Sequence, residues 1–503
     1  MSVKAIVIGS GVAGMATAAR LQAKGYETTV FEANPYPGGK LTEIESRGYR
    51  FDAGPSLFTL PELLDDVFHV ARKDPRNYYD YEKLDVACHY FYEDGTQLKS
   101  YTDAKKFGKE IEQVLGVNAQ TVIDYLKKSK IIYEEVGLIF LNHSLHKAST
   151  WLTKDVIKAL LKIYKYDIHK SMNQANEAGL SHPKLVQLFN RYATYNGSNP
   201  YKAPGILNSI PHLEHNIGTF FPKGGMHTIT NALVKLNLDL GVEFKYESTV
   251  DEIVLDRKGV KGVKSNGGFT SADCVISNMD VYHTYDKLLP TYKVPRQIRK
   301  QERSSSALIY YWGIKKEFKE LGLHNIFFSE NYASEFDHLF NKKELYHDPT
   351  VYINITSKLN HTDAPAGSEN WFVMVNAPCN EGQDWASIKV STRKAIISKL
   401  SRILKTDIEP LIETQEVLEP LTIESKTSSY KGSLYGTSSN SKLAAFLRHP
   451  NFTSKIKGLY FCGGSVHPGG GIPLCLLSGK IVANLVYQIS KVMSSKIVGG
   501  FVD

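Results

Sequence analysis

Cysteine is scarce in this chain of 503 residues, since only five cysteines occur, at positions 88, 274, 379, 462 and 475. No two of them form a Cys-x-x-Cys pair, and none is spaced from histidine as in a zinc finger. We therefore expect no metal site. So sparse and odd a set also predicts a reducing, intracellular setting rather than a disulfide framework.

Long apolar runs are missing as well. The longest clean run, Val136–Leu141, is far shorter than the ~20 residues that a membrane-spanning helix needs. The first residues lack the layout of a signal peptide and enter a strand at once. The sequence therefore predicts a protein that is soluble or lies on a membrane surface.

A strong charge of one sign is absent too. Lys and Arg number 60 against 52 Asp and Glu, which gives a net charge of +8. An excess so small and so spread out does not predict a nucleic-acid partner, although it would suit an anionic membrane. With 42% hydrophobic and 22% charged residues, the composition is that of a folded globular protein.

A glycine-rich turn near the start carries the first chemical signal. Gly9, Gly11 and Gly14 follow the strand-like run Ala5–Ile8 and precede an Ala- and Leu-rich helix. This context predicts a dinucleotide site, in which the turn and the helix N-terminus hold a pyrophosphate. Glu32 ends the next strand, 21 residues after Gly11, where a carboxylate can accept both hydroxyls of an adenosine ribose.

Two further glycine segments favour FAD over NAD. Gly38 and Gly39 follow the ribose acid directly and let the chain wrap a dinucleotide, with Lys40 in reach of a phosphate. Near the C-terminus, the segment Gly463–Pro473 contains five glycines between a strand and a helix. The positive end of that helix can stabilise the negative charge of a reduced flavin ring.

The order of these segments predicts a discontinuous α/β domain interrupted by two insertions. We assign residues 1–85, 216–289 and 426–503 to an FAD-binding domain, and residues 86–100 and 290–425 to a substrate domain with a mixed sheet. Residues 101–215 form a helical, basic insert. Helices are predicted near 228–238 and from 473 to about 491.

The motifs resemble those of the bacterial-type carotenoid desaturases, which are FAD enzymes of the phytoene desaturase group. They span nearly the whole chain: the glycines above, Glu32, Gly38–Lys40, Phe51–Ser56, Phe221–Met226, Ser277–Asp280 and Gly458–Gly479. The segments Ala53–Thr59 and His467–Cys475 are most similar to the hydroxycarotenoid 3,4-desaturases.

The resemblance implies an α/β (overall α+β) fold with a Rossmann-like FAD domain of the amine oxidase and p-hydroxybenzoate hydroxylase type. It also implies a set of cofactor contacts. The dinucleotide end would contact Gly9, Gly11, Val12, Ala13, Gly14, Glu32, Ala33, Gly38, Gly39 and Lys40, with Val250 facing the adenine. The isoalloxazine end would be surrounded by Gly54, Pro55, Ser56, Leu57, Asn278, Leu308, Gly463, Gly464, Gly470, Gly471, Ile472, Pro473 and Leu474.

The implied reaction is the removal of a hydride and a proton from neighbouring carbons of a hydrophobic polyene. The expected product has a new C3–C4 double bond at the acyclic end of a C40 carotenoid carrying a 1-hydroxyl. Flavin itself takes the hydride, and no catalytic residue is required by the motifs. Lys223 and His467 are the candidates for assisting proton loss.

Three other functions share these motifs. Phytoene desaturation and isomerisation or saturation of a polyene use the same flavin residues. A non-enzymatic isoprenoid carrier or escort protein on the same fold is the alternative of a different class. Intact phosphate glycines and an intact C-terminal flavin turn favour the enzyme.

The insert also predicts a membrane-facing element. Residues 121–170 contain nine lysines and five acidic residues. Trp151, Val156, Leu160 and Tyr164 recur at helical spacing between the lysines, as in basic helices that lie in a bilayer interface. An ordinary helix packed on the domain would show the same spacing. We expect a cytoplasmic protein associated peripherally with the inner face of the cell membrane.

Overall fold

A computed structural model describes residues 2–137, 141, 146, 148–151, 153–441 and 448–499. Among these residues, five parallel strands from distant parts of the chain form one sheet. In spatial order they are Leu459–Phe461, Cys274–Ser277, Lys4–Ile8, Glu27–Phe31 and Glu243–Lys245. This sheet is therefore complete only when the first and the last 50 residues of the chain meet.

The first helix, Val12–Ala23, packs tightly on this sheet because of its glycines. A Cβ atom on Gly14 would lie 2.2 Å from the carbonyl oxygen of Gly9, so only glycine fits there. Gly479 of the C-terminal helix, Ile472–Gly499, gives a similar close approach, since its Cβ would lie 3.0 Å from Thr17 Oγ1. The result is a layered unit in which the first helix is buried from Val12 to Leu21.

A second, mostly antiparallel sheet forms the other half of the molecule. In the part of the chain that the structure describes, it has seven strands in the order Ile412–Leu418, Ser306–Ile314, Glu369–Ala377, Val351–Ile355, His324–Phe327, Val86–Phe91 and Gln97–Tyr101. The early hairpin 86–101 thus joins strands that come some 200 residues later, through the parallel pairing of His89 with Asn325. The domain boundaries given above remain a prediction.

Smaller sheets and the helices complete the fold. The strands are Val250–Asp256 with Gly259–Ser265 and Gly268–Ser271, Glu43–Ser46 with Tyr49–Asp52, and Tyr81–Lys83 with Phe220–Pro222. The α-helices besides the two above are Glu62–Val70, Ala104–Leu115, Ala119–Ile132, Ala148–Trp151, Lys154–Lys162, Met172–Gly179, Pro183–Asn190, His227–Asp239, Val281–Leu288, Arg296–Lys300, Tyr332–Asp337, Trp385–Ile403 and Pro420–Thr427.

The insert is helical and packs on one face of the seven-stranded sheet. Its apolar cluster includes Phe107, Leu126 and Leu188, together with Tyr90 and Phe328 from the sheet. Residues 138–140, 142–145, 147 and 152, which include part of the run Val136–Leu141, lie outside the described residues. None of the helices that the structure describes is both long and apolar enough to cross a lipid bilayer.

The predicted helices have somewhat different ends in the structure. The helix predicted near 228–238 is His227–Asp239. The C-terminal helix begins at Ile472, one residue before the predicted start, and continues to Gly499. Its N-terminus therefore lies directly at the end of the glycine segment.

Candidate active site

One large cavity, with a volume of about 1050 Å³, lies between the two sheets and extends towards the insert. Every residue predicted to contact the cofactor lines it, apart from Gly14 and Leu308. Residues as far apart in sequence as Gly9 and Leu474 are thus brought to one surface. This agrees with the rule that ligands of open α/β sheets bind beyond the carboxyl ends of the strands.

The N-terminus of the first helix opens towards this cavity. Gly11 is its N-cap residue, and no side chain caps the helix. The first amide N–H groups are therefore available for an anion. The carboxylate of Glu32 fixes the turn next to it, accepting hydrogen bonds from Ser10 N and Oγ at 2.8 and 2.7 Å and from Asn34 N at 2.9 Å.

Asn278 joins the two glycine turns. Its Nδ2 donates to the carbonyl of Gly9 at 3.3 Å. Its side chain also leaves no room for a Cβ atom on either turn. A Cβ on Gly11 would lie 2.8 Å from Nδ2 of Asn278, and a Cβ on Gly463 would lie 2.7 Å from its Oδ1. The resemblance puts Asn278 beside the isoalloxazine ring. Its observed contacts hold the turn Gly9–Gly14 against the glycine segment that begins at Gly463.

Two cations lie in the cavity wall. Lys40 Nζ donates to the carbonyls of Ser433 and Leu434 at 3.1 and 2.8 Å, and burial lowers the pKa of Lys40 to about 8. Arg448 donates to the carbonyls of Tyr435 and Gly464 at 2.7 and 3.2 Å, and burial lowers the pKa of Arg448 to about 10. Both cations suit a phosphate-bearing ligand.

The C-terminal glycine segment is held from behind by one amide. Asn451 Nδ2 donates to the carbonyls of Phe461 and His467 at 3.2 and 2.7 Å. On the cavity side, a Cβ on Gly471 would meet no described atom within 4 Å, so this backbone faces open space. The residues present therefore fit FAD, because two helix N-termini, two buried cations and bare glycine backbone all line the same cavity.

Three predicted residues stand elsewhere. Leu308 is buried in the core on the other face of its strand, and its neighbour Ile309 lines the cavity because side chains alternate along a strand. Gly14 lies behind the turn, where it permits helix packing rather than ligand contact. Lys223 is on the surface, paired with Asp80 at 2.5 Å, and this partner raises the pKa of Lys223. It is therefore too far from the cavity to accept a proton there.

His467 does line the cavity and is buried. Its backbone N–H donates to the carbonyl of His449 at 2.9 Å, and its ring lies 6.1 Å from that of His146. Its role in proton transfer remains a prediction.

Sequence reasoning missed the second half of the cavity. Its wall there includes Tyr311, Phe372 and Met374 from the seven-stranded sheet and Ile132 and Val136 from the insert. No glycine pattern marks these positions, because they are brought together only by strand pairing and helix packing.

A buried ion pair also reaches this part of the cavity. Arg191 Nη2 lies 3.1 Å from Glu214 Oε2, and the hydroxyls of Tyr192 and Tyr195 donate to the same carboxylate. Arg191 and Tyr195 line the cavity. Since Glu214 accepts hydrogen bonds from all three partners, its charge is compensated within the protein.

Comparison with known proteins identifies the family. A profile of the family described as flavin containing amine oxidoreductase matches residues 12–487. The chain is also 53% identical over 483 residues to the 1-hydroxycarotenoid 3,4-desaturase of Flavobacterium sp. (strain P99-3), covering 96% of this chain and 99% of that protein. The chain belongs to the carotenoid desaturase family within the flavin containing amine oxidoreductases.

Two other similarities agree with this assignment. The 4,4'-diaponeurosporene oxygenase of Staphylococcus aureus (strain MSSA476) is 33% identical over 488 residues, covering 96% of this chain and 97% of that protein. The fold is similar to that of cyclohexylamine oxidase from Brevibacterium oxydans, with a TM-score of 0.62, 15% identity and coverage of 98% and 100%. The predicted family, the fold class, FAD as cofactor and the oxidoreductase class are thereby confirmed.

Replacing Gly11 by Val should abolish FAD binding while leaving the fold intact. Gly11 has φ −67°, which any residue adopts, and the nearest atom to a new Cβ is the movable amide of Asn278. The branched side chain would displace this amide and crowd the turn that is predicted to hold the pyrophosphate. Flavin absorbance per chain measures binding, and circular dichroism measures folding. Gly268→Val, at an exposed strand position, is the matched control, and a fully yellow Gly11→Val protein would show that the site is assigned wrongly.

FAD affinity should also fall as the pH rises above about 8. Below that pH Lys40 is charged and attracts a phosphate, whereas above it the buried amine is neutral and must bind a proton at a cost in free energy. Titration of the flavin-free protein with FAD between about pH 7 and about pH 10 measures this slope. Lys40→Met should flatten it, and the surface variant Lys223→Met should not. An equal slope in all three proteins would limit Lys40 to tethering Ser433 and Leu434.

Proposed function

We propose that the protein introduces a C3–C4 double bond into the acyclic end of a C40 carotenoid that carries a 1-hydroxyl. The proposal depends on one observation: the cavity lined by the flavin residues continues without a break into an apolar space between the sheet and the insert. A long hydrocarbon can thus lie with its end at the cofactor. The name of the relative from Flavobacterium supports the choice of bond and of the hydroxylated substrate.

The walls of this space are suited to a polyene. Phe372 and Tyr311 pack edge to face with centroids 5.6 Å apart. The hydroxyl of Tyr311 donates to the carbonyl of Ala53 at 2.8 Å, so its polar end is satisfied away from the substrate. Ile309 and Met374 continue the apolar surface along paired strands. Such a wall holds the chain in place and excludes water.

FAD, when bound, supplies the hydride acceptor. The protein contributes position and a dry environment, because the cation that develops next to a conjugated chain is delocalised over the polyene. We assign to His467 the acceptance of the proton from the carbon next to the one that loses the hydride. Of the two candidates for this role, His467 is the one that lines the cavity. Lys223 has no part in this step.

The purified holoenzyme should convert a hydroxylated, conjugated carotenoid in liposomes into a product with two fewer hydrogens and a red-shifted spectrum. Mass and absorbance spectra of the extracted pigment measure both changes. Phytoene in separate liposomes should remain colourless. The flavin-free Gly11→Val variant is the control and should give no product.

Each rival function has its own result in this assay. Coloured product from phytoene would identify a phytoene desaturase. An unchanged mass with a shifted spectrum would identify an isomerase, and a gain of hydrogens a saturase. Pigment that is bound but never altered by the flavin-loaded protein would identify a carrier.

We also propose that the helix Lys154–Lys162 and the turn after it lie on an anionic membrane surface. Its apolar side chains are unusually exposed: Leu161 is 70% and Tyr164 is 66% accessible, and Ile157 and Trp151 are exposed as well. Val156, predicted on this face, is instead 1% exposed and packs inward. The side chain of Leu160 lies outside what the structure describes.

Basic side chains surround these exposed apolar residues. Lys154, Lys158, Lys162 and Lys165 are all exposed, and Lys162 is paired with Glu135 at 2.6 Å. Glu135 belongs to the helical turn Tyr133–Gly137, in which Tyr133, Val136 and Gly137 line the cavity. The surface element is thus tied to the cavity wall, which supports entry of an insoluble substrate from the bilayer.

Reversing Lys154, Lys158 and Lys165 to Glu should weaken binding to vesicles containing anionic lipid. Each lysine near the surface contributes roughly 1 kcal/mol of attraction, and the new acids add repulsion. Flotation with liposomes of about one-third phosphatidylglycerol measures the bound fraction at low ionic strength, where screening is weakest. The control reverses the exposed residues Lys293, Arg296 and Lys300, which lie outside the insert in sequence. Equal flotation of both variants would leave the helix a packing element only.

A further inference from the structure

The substrate hydroxyl of the proposed reaction needs a polar partner close to the reacting bond. Only two carbon–carbon bonds separate C1, which carries the hydroxyl, from C3, which loses hydrogen. The partner must therefore lie beside the residues that hold the flavin ring and not at the far end of the cavity. A buried hydroxyl without a partner costs about 1–3 kcal/mol, so the protein can use this group for selection.

A chain of three side chains begins at that position. Ser56, in the segment Gly54–Leu57 predicted to border the ring, has its Oγ 2.7 Å from the hydroxyl of Tyr352. The same hydroxyl is 2.8 Å from Nδ1 of His324. Ser56 and Tyr352 line the cavity, whereas His324 is buried behind them.

The direction of these hydrogen bonds follows from the residue at the buried end. Asn354 Nδ2 is fixed as a donor by the carbonyl of Leu323 at 3.0 Å, and it lies 3.2 Å from His324 Nδ1, so a hydrogen on Nδ1 would face the N–H groups of this amide. Burial lowers the pKa of His324 to about 3, so the ring is neutral. Nδ1 is then an acceptor and Nε2 carries the proton. Among the described residues this Nε2 has no hydrogen-bond partner.

The remaining hydrogens are then assigned in turn. The hydroxyl of Tyr352 donates to Nδ1 of His324, and its oxygen accepts the hydrogen of Ser56. The hydrogen of Ser56 is thus used within the protein, and the lone pairs of its Oγ remain for the cavity. The cavity end of the chain is consequently an acceptor and not a donor.

We propose that Ser56 Oγ, oriented by Tyr352 and His324, accepts the hydrogen bond of the substrate's tertiary hydroxyl and so selects hydroxylated over unsubstituted or etherified polyene ends. The inference rests on the proposed function. It assigns Ser56 a binding role and gives Tyr352 and His324 a positioning role.

Two other polar groups in or near the cavity are placed less well. Glu214 is already saturated by Arg191, Tyr192 and Tyr195. Asn376 lies on the same strand as Phe372 but four residues further along, which is about 13 Å at the rise of a strand. Phe372, in contrast, packs against Tyr352, with centroids 6.1 Å apart.

The test compares three substrates in liposomes with flavin-loaded enzyme: a conjugated carotenoid with a 1-hydroxyl, its 1-methoxy ether and the unsubstituted compound. Wild type should prefer the hydroxyl by about tenfold in kcat/KM, as expected for one neutral hydrogen bond. Ser56→Ala should lose this preference, because its kcat/KM for the hydroxylated compound should fall about tenfold more than its kcat/KM for the unsubstituted compound. Ser56→Thr, which retains a hydroxyl, should restore it. Flavin absorbance per chain normalises each rate, because Ser56 lies near the cofactor.

Tyr352→Phe gives an independent readout. Without the phenol oxygen, the hydrogen of Ser56 becomes free to donate, and discrimination against the methoxy ether should shrink several-fold. The control is Tyr310→Phe, on the same sheet as Tyr352. It removes a hydroxyl that donates to the carbonyl of Lys389, and it should keep the wild-type ratio. Asn376→Leu should keep it too.

Two kinds of failure are distinguishable. If wild type gives no desaturated product from the hydroxylated carotenoid, the proposed function fails, and the inference fails with it. If wild type is active but Ser56→Ala lowers kcat/KM equally for all three substrates, only the inference is overturned. A loss of preference in Asn376→Leu alone would transfer the hydroxyl site to that residue.

Discussion

The close approach of two glycine turns is the constraint on which the rest of this structure depends. The turn Gly9–Gly14 and the segment Gly463–Gly471 must touch, with the side chain of Asn278 filling the gap where Cβ atoms would otherwise stand. Only then do two helices present their positive N-termini to one cavity without a side chain between them and the ligand. The parallel sheet below serves to fix this contact, since its central strand Lys4–Ile8 leads into the first turn and its edge strand Leu459–Phe461 leads into the second.

The cavity joins two units that are built in different ways. The cofactor half consists mainly of backbone and a few buried charges, whereas the substrate half consists of side chains from a sheet. Lys40 shows how buried charges in the cofactor half affect stability. Because burial lowers the pKa of Lys40, keeping this amine charged in the folded protein reduces the free energy of unfolding. Since FAD binds only the folded chain, its binding free energy offsets this cost.

The cofactor site was largely predictable from sequence, and the substrate site was not. Glycine is required where φ is positive, as at Gly9 and Gly471, or where another group approaches closely, as at Gly11. A glycine-rich segment therefore indicates a turn or a close contact from the sequence alone. Leu308 was placed wrongly because a one-residue error on a strand changes the face. Ser56 was predicted to be a flavin neighbour, yet its partner Tyr352 is 296 positions away and was not predicted. A hydroxyl on a strand carries no local signal of what it will contact.

The joining of residues 4–8 to residues 459–461 in one sheet has a consequence for biosynthesis. When the strands Lys4–Ile8 and Glu27–Phe31 leave the ribosome, the strand Leu459–Phe461 at the edge of the same sheet has not yet been synthesised. The flavin pocket consequently cannot form during translation, and an apolar face of the parallel sheet stays uncovered until the last helix, Ile472–Gly499, emerges. Long-range pairing of this kind slows folding and prolongs exposure to aggregation. The topology therefore places flavin insertion after the synthesis of the C-terminal strand and helix.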